Sequence, residues 1–437
     1  MKEVRFIDLF AGIGGLRLGF EEAFKNEGLG TNCVMTSEIK PHALKVLHQN
    51  FEHSYLVGDI SKVKNSDIPD FDFLLGGFPC QPFSASGKRF GFVDTRGTLF
   101  FEIERIIADK KPFGFILENV EGLVKHDALD KRNDKVGQTL QTIIDKLSAL
   151  GYIVTWKVLD AADFGLPQAR KRVFIVGTLD SRISLDGFEL KRKKIKSILQ
   201  KDLPPMESRF ADLLLKHFSI KDLYGKSIKD KRGGDDNIHS WDLELKGSVS
   251  KEQHELLNKL FKARRSKKWA EEIGIEWMDG MPLTLKQIAT FHASPSLKEM
   301  LDDLVKKGYL KFEHPKSLVK ELTLLGNKTY RQENKSLQPG YNIVSGKLSF
   351  EINKVLDPDG IAPTLVATDM ARLVVPDGNG LRRMTLREGL RLFGYPEWFE
   401  LPVTANEGFD LLGNTVAVSV VKSVAERLAA VYEPVFS

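Results

Sequence analysis

Short apolar runs recur along the first ~180 positions, each followed by a turn and a stretch with helical spacing. Val4–Phe10, Cys33–Glu38, Ser54–Asp59, Phe71–Phe78, Phe113–Asn119, Ile153–Leu159 and Val173–Thr178 are the predicted strands. Helices are predicted from about Gly15, after Pro41, around Leu99–Ala108 and over Val136–Leu150. In the last of these, Leu140, Ile143, Ile144, Leu147 and Leu150 fall on one face. Strands separated by helices of this length predict an α/β fold with a doubly wound, mostly parallel, seven-stranded sheet.

The rhythm breaks after about residue 180, where the chain becomes more charged and less periodic. A second, smaller domain of mixed or β-rich structure is expected over about 181–399. Residues 381–400 read as polar and helical. From Val416 to Tyr432 an apolar helix carries Val416, Val420, Val424 and Leu428 on one face. Its return to the first sheet predicts a discontinuous domain of residues 1–180 plus about 400–437. Within the second domain, Thr284–Ala289 and the repeat Leu297, Met300, Leu301, Leu304 and Val305 read as two short helices. The strand-like Tyr309–Phe312 follows them. That order, at about 283–312, is compatible with a winged-helix unit or with two ordinary packed helices.

Composition adds exclusions. Apolar residues make up 42% of the 437 and charged residues 28%, which excludes a disordered or collagen-like chain. No run approaches the ~20 consecutive apolar residues of a membrane span. Met1-Lys2-Glu3 leads directly into a strand-like run, so no signal peptide and a cytoplasmic location are expected. The net charge of +5 identifies no partner, but Lys191–Lys196 and Arg264, Arg265, Lys267 and Lys268 are basic clusters. Two cysteines, Cys33 and Cys80, build neither a disulfide framework nor a four-cysteine zinc site, and no metal is expected.

Four segments carry candidate chemistry. Phe6-Ile7-Asp8-Leu9-Phe10-Ala11-Gly12-Ile13-Gly14-Gly15 is a strand, a glycine-rich turn and a helix start. Such a turn lets the backbone approach a ligand, and its spacing is not the dinucleotide GxGxxG fingerprint. Glu38 closes the next strand and Asp59 the third, placed to accept bonds from a ribose and an exocyclic amine. Either acid alone reads equally as a helix cap, but jointly they describe a cofactor bearing a nucleoside. Gly76-Gly77-Phe78-Pro79-Cys80-Gln81-Pro82-Phe83-Ser84 fixes Cys80 in a rigid loop after a strand, where a thiol serves as a nucleophile. Cys33, inside a strand, reads as a buried structural residue. Glu118 follows Phe115-Ile116-Leu117, so its carboxyl should be poorly solvated and its pKa raised. In an extended strand Gln168, Arg170 and Arg172 would share a face, as a phosphate or ring clamp or as an ordinary charged surface.

These segments, with Arg382-Arg383-Met384-Thr385-Leu386-Arg387-Glu388 and Gly413-Asn414-Thr415-Val416, resemble in order and spacing the motifs of DNA (cytosine-5) methyltransferases. That resemblance implies a class I, Rossmann-like methyltransferase fold and S-adenosylmethionine as cofactor. It implies that Phe10, Gly12, Gly14, Glu38, Ile39, Asp59, Ile60, Pro79, Asn414 and Thr415 bind it. Ile39 stands where several members carry an aromatic residue. Cys80 is implied as the nucleophile on cytosine C6, Glu118 as the group at N3, and Arg170 and Arg172 as arginines near the base and the nucleophile loop. Ser84, Ser86 and Gln168 are implied DNA contacts, and base flipping is implied with them. The second domain takes the place of the target-recognition region. Double-stranded DNA is the implied partner, and a restriction endonuclease the functional counterpart. Methylation of transfer RNA and an inactive DNA-binding adaptor are the alternatives. The length of the 181–355 insertion favours duplex DNA over RNA, and the intact set of Cys80, Glu118, Arg170 and Arg172 favours an active enzyme.

Overall fold

The structure is a computed structural model that describes residues 3–79, 99–128, 135–230, 237–323, 326–344, 350–365 and 370–432. The N-terminal elements are β1 (Glu3–Leu9), α1 (Gly15–Asn26), β2 (Gly30–Ser37), α2 (Pro41–Asn50), β3 (Leu56–Val57), β4 (Phe73–Gly77), α3 (Leu99–Lys110), β5 (Gly114–Val120), α4 (Gln138–Ala149), β6 (Ile153–Asp160) and β7 (Lys171–Thr178). The strands form one seven-stranded sheet in the order β3-β2-β1-β4-β5-β7-β6. β1, β2, β3, β4 and β5 are parallel, and β7 runs antiparallel to both β5 and β6. The expected mostly parallel α/β sheet is therefore present.

Alternation explains why these strands read as continuous apolar runs. In β1, Val4 and Phe6 enter one core while Ile7 and Leu9 enter the other. Phe73 and Leu75 of β4 divide from Leu74 in the same way, and Ile116 of β5 divides from Phe115 and Leu117. Each of these three strands is covered on both faces, as parallel sheets require. Phe100, Ile103, Ile106 and Ile107 of α3 cover one face with Leu140, Ile143 and Leu147 of α4. Leu16, Phe20 and Phe24 of α1 cover the other.

Clustering of the fold gives two compact units. One comprises residues 1–203, 356–375 and 383–437, the other 204–355 and 376–382. These bounds differ from those expected at 180 and 400. Ile195, Ile198, Leu356, Leu365, Leu392, Phe393 and Phe399 all belong to the apolar cluster around Ile13 and Leu18, so the first unit draws on more of the later chain.

The second unit contains α5 (Arg209–His217), β8 (Ser227–Ile228), β9 (Asn237–Ile238), α6 (Lys251–Ala263), α7 (Lys268–Glu272), α8 (Leu285–Ala289), α9 (Leu297–Lys306), β10 (Leu310–Glu313), β11 (Lys316–Thr323), β12 (Gly326–Glu333) and β13 (Gly340–Ile343). Its core gathers Trp241, Leu256, Leu260, Trp269, Leu301, Leu304 and Ile343. Part of the second basic cluster serves this core: Arg264 is 4% exposed and donates to Asn342 Oδ1 at 2.8 Å.

The first unit ends with α10 (Leu386–Phe393), α11 (Ala405–Asn414) and α12 (Val418–Ala429). The helix expected over 381–400 is thus shorter. Thr385 caps it in a reciprocal box with Glu388, and Gly394 at φ +80° ends it. α12 crosses α1 so closely that a Cβ at Gly19 would lie 2.6 Å from Val421 Cβ. The basic run at 191–196 is largely neutralised within this unit, with Arg192 on Asp163 at 3.3 Å and Lys196 on Asp359 at 2.8 Å. Among the described residues no helix is long and apolar enough to cross a membrane.

Candidate active site

A doubly wound sheet opens a crevice where the chain reverses its direction of strand addition, beyond the carboxyl ends of the strands. Here the reversal lies between β1 and β4. Leu9 is level with Ser37 of β2 and Gly76 of β4, and Gly77 is level with Glu118 of β5. A cavity of about 370 Å³ occupies this edge.

One wall is the turn after β1. Phe10 adopts φ +57°, rare for a residue with a side chain, and Gly12 follows at φ +57° with open space where a Cβ would stand. Both line the cavity. Glu38 holds this turn. Its Oε2 accepts from Gly12 N at 2.7 Å, while its Oε1 accepts from Ile39 N and Lys40 N, each at 2.8 Å. Three backbone donors fix a carboxylate that is 8% exposed, and a carboxylate oxygen with one donor keeps a lone pair for another. Ile39, Asp59 and Ile60 continue the wall. Ile39 is 69% exposed, an apolar side chain at the rim. Asp59 caps a short helical turn by accepting from Ser61 N at 3.1 Å and Ser61 Oγ at 2.7 Å. The Ser61 hydroxyl bond is the main cause that holds its carboxyl below the usual range.

The opposite wall is the candidate reaction centre. Gly77, Phe78, Pro79, Glu118, Asn119, Arg170 and Arg172 all line the cavity. Val120 pairs with Arg172 across β5 and β7, so Glu118 and Arg172 are diagonal neighbours on one face. Arg172 Nε lies 3.1 Å from Glu118 Oε1, and each side chain is 14% exposed. Burial raises the Glu118 pKa, and Arg172 and then Arg170 oppose that shift. The carboxyl is therefore poised to hold a proton more readily than an exposed glutamate. Asn119, which sequence reasoning passed over within Glu118-Asn119-Val120, is 2% exposed and donates Nδ2 to the Phe78 carbonyl at 2.8 Å. It ties β5 to Phe78, just past the end of β4.

The expected residues do not all meet. Gly14 is the N-cap of α1 at φ +80°, and a Cβ there would lie 2.4 Å from the Phe51 ring, so it serves packing and is absent from the cavity wall. Cys80, Ser84 and Ser86 lie outside the described residues; Pro79, next to Cys80, is on the wall. β7 starts only at Lys171, so Gln168 and Arg170 precede the strand and the shared face expected of Gln168, Arg170 and Arg172 does not form. Gln168 bridges to Ala362 and is fully buried in this structure, with neither side-chain amide atom hydrogen-bonded among the described residues. Arg170 is 2% exposed, and its guanidinium donates to the carbonyls of Leu365 at 3.0 Å, Gly413 at 3.1 Å and Thr415 at 2.7 Å. It holds the Gly413–Thr415 turn in place. Asn414 and Thr415 reach the cavity from there, with Ser37, Lys40 and Leu411 beside them, three residues that no motif singled out.

Two further titratable groups are buried within the sheet. Burial pushes the Cys33 thiol up to about 12 and keeps it inert, although its contact with Thr36 Oγ1 at 3.4 Å opposes that shift. Asp8 is fully buried, and neither carboxyl oxygen has a hydrogen-bond partner among the described residues; burial pushes its pKa up to about 8. Between the usual 3.8 and about 8 the folded chain keeps a proton that the unfolded chain releases. Its contribution to stability is complete below pH ~4 and is lost as pH rises through ~8. Asp8→Asn should flatten the fall of the melting temperature between pH 5 and 8.5. Equal pH slopes for variant and wild type would refute this assignment.

The family comparison agrees with this geometry: the model of the C-5 cytosine-specific DNA methylase family matches residues 4–430. The chain belongs to that family. This methylase is 56% identical over 428 residues to the type II methyltransferase M.NlaIV of Neisseria lactamica, covering 98% of this chain and 99% of that one. It is 41% identical over 451 residues to M.BanI of Aneurinibacillus aneurinilyticus, covering 98% and 96%. The crystal structure of the S. pombe Dnmt2 methyltransferase shares the fold, with a TM-score of 0.53 at 15% identity over 98% of both chains. The methylase is thus a DNA (cytosine-5-)-methyltransferase.

Proposed function

We propose that this methylase transfers a methyl group from S-adenosylmethionine to C5 of a flipped cytosine within a short sequence of duplex DNA. In this reading it is the protective half of a restriction–modification pair, as the type II relatives suggest. The observation that carries the proposal is the partly buried Glu118–Arg172 pair sharing one cavity with the Glu38-braced turn.

The residues present fit the cofactor. Glu38 keeps an acceptor site for a ribose hydroxyl, Asp59 has a second carboxylate oxygen for an exocyclic amine, and Phe10, Ile39 and Ile60 supply apolar surface for a purine. Asn414 and Thr415 would hold the amino-acid end. Bound there, S-adenosylmethionine supplies an electrophilic methyl group on a sulfonium.

Cytosine C5 is too weak a nucleophile to react unaided. The Cys80 thiolate adds to C6, and the ring electrons move to C5 as an enamine. Glu118 donates its proton toward N3 and stabilises the charge that this addition creates. Arg172 keeps the Glu118 carboxyl oriented. Once C5 carries its methyl group, a base removes the C5 proton, the C5–C6 double bond re-forms and the thiolate leaves. The cytosine must leave the helix for the thiolate to reach C6. Arg170 acts by holding the Gly413–Thr415 turn.

The test is incubation with isotopically labelled S-adenosylmethionine and, in parallel, duplex DNA and transfer RNA, followed by mapping of the labelled atom. Label at cytosine C5 in one short DNA sequence is expected. Label only in RNA, or on an exocyclic nitrogen, would overturn the reading.

A further inference from the structure

The cavity wall is assembled from segments far apart in the chain, among them the turn at residues 38–40 and the turn at 413–415 that ends α11. Glu38 fixes the first through the backbone N–H groups of Ile39 and Lys40. Arg170 fixes the second through the carbonyls of Gly413 and Thr415. Neither set of bonds joins one turn to the other. A ligand that touches two separately held walls loses affinity to the ordering of one against the other, unless something already holds them together.

Asp410 supplies that join. Its Oδ2 lies 3.4 Å from Lys40 Nζ and 3.3 Å from His42 Nε2. Its Oδ1 lies 3.4 Å from Asn414 Nδ2, whose shorter bond, at 2.8 Å, runs to the Asp410 carbonyl. Asp410 and Asn414 are four residues apart on α11 and so share a face. Lys40 and Asn414 line the cavity, whereas Asp410 and His42 do not. Below them Ala43 and Val46 of α2 share an apolar cluster with Phe409, Leu411 and Leu412 of α11. The far end of α2 has its own polar ties. Gln49 donates to Glu400 Oε2 at 2.7 Å, and the Asn50 amide bonds both the N–H and the carbonyl of Glu400 at 2.8 Å.

An isolated exposed ion pair contributes little to stability. Asp410 matters by its place: one half-exposed carboxylate gathers partners from both turns of the cavity wall. We infer that Asp410 is a positioning residue for the cofactor, fastening the 38–40 turn to the 413–415 turn and so setting how tightly S-adenosylmethionine and S-adenosylhomocysteine are held. The inference rests on the proposed function, because it takes this cavity for the cofactor site. In that reading Glu38 receives the ribose and Asn414 the amino-acid end, so one ligand spans both turns. A change in their spacing weakens its binding and leaves the pair Glu118 and Arg172 as it was.

Calorimetric titration of S-adenosylhomocysteine into wild type and variants tests it. Asp410→Ala should weaken binding about fivefold, the upper end for a partly exposed ionic contact. Asp410→Asn keeps the volume without the charge and should weaken binding in the same direction. Lys40→Met should also weaken it, but the double variant Lys40→Met/Asp410→Ala should bind no more weakly than Asp410→Ala, since the two residues act through one contact. In turnover the KM for S-adenosylmethionine should rise by a similar factor in Asp410→Ala, with kcat within about twofold of wild type. Glu400→Ala cuts a tie at the other end of α2. It should lower the melting temperature comparably and leave the affinity at the wild-type value. If wild type binds neither ligand, the functional reading fails. If wild type binds and both Asp410 variants match it, the fastening proposal fails alone. Additive losses in the double variant would assign Lys40 to direct contact with the ligand, and an equal loss of affinity in Glu400→Ala would reduce Asp410 to a matter of stability; either result overturns the proposal.

Discussion

Cys80→Ser should lower methyl transfer to DNA by more than about 1,000-fold while leaving cofactor and duplex binding intact. A serine hydroxyl stays protonated at neutral pH and is a far weaker nucleophile than a thiolate, so addition at C6 stops. Cys80 follows directly on Phe78, whose carbonyl Asn119 holds, and Pro79, which lines the cavity. The loss should therefore be chemical rather than structural. Duplex carrying 5-fluorocytosine gives a second readout. With fluorine at C5 there is no proton to remove, and the wild-type adduct should survive denaturing electrophoresis. Cys80→Ser should form none. Turnover within tenfold of wild type, or an adduct in the variant, would remove Cys80 from the mechanism.

Arg170→Ala should give the largest loss of stability together with a loss of cofactor affinity. The guanidinium joins three carbonyls from two distant segments, Leu365 and the Gly413–Thr415 turn, and stacks over Phe393 at 5.0 Å. Truncation leaves those buried acceptors without a donor, each at about 1–3 kcal/mol where water does not replace it. A melting temperature lower by roughly 5–10 °C is expected. Lysine reaches fewer carbonyls and cannot reproduce the planar fork, so Arg170→Lys should recover only part of the loss. Calorimetry with and without S-adenosylhomocysteine separates the two effects. A variant with normal melting and normal cofactor affinity, defective only in turnover, would return Arg170 to a role at the base.

The parts of the site legible in the sequence are those that a parallel sheet fixes locally. Glu38 and Glu118 end apolar strands, and such strands deliver their last residues to one edge, so their meeting follows from chain order. The glycine turn was legible as a turn, but not in its division of labour. Gly12 opens onto the cavity, whereas Gly14 makes room for Phe51 and Gly19 for α12. That division depends on partners from other elements, and local spacing carries no trace of them. Gln168 and Arg170 show the same limit. Their alternation with Arg172 suggested a shared strand face, but Ala169 N bonds to the Ala362 carbonyl at 2.8 Å, and this distant pairing delays β7 until Lys171. In the second unit several elements are short, such as β8, β9, α7 and α8, and much of each surface is polar. Periodicity there gives only weak contrast, and the antiparallel pair β11–β12 passed unnoticed.

The crossing of α1 and α12 bears on how the methylase is made. Leu16, Phe20 and Phe24 share their core with Val420, Val421, Val424 and Leu428, and Thr415 closes the cavity just before α12. On the ribosome, the opening half of this core emerges first and must wait for about two hundred further residues before its covering helix follows. At about 5–20 residues per second, that delay is on the order of ten to forty seconds. During that interval a nascent chain exposes one side of its sheet and holds an incomplete pocket. Competence to modify DNA thus waits until α12 has emerged, and a polypeptide interrupted before it remains silent.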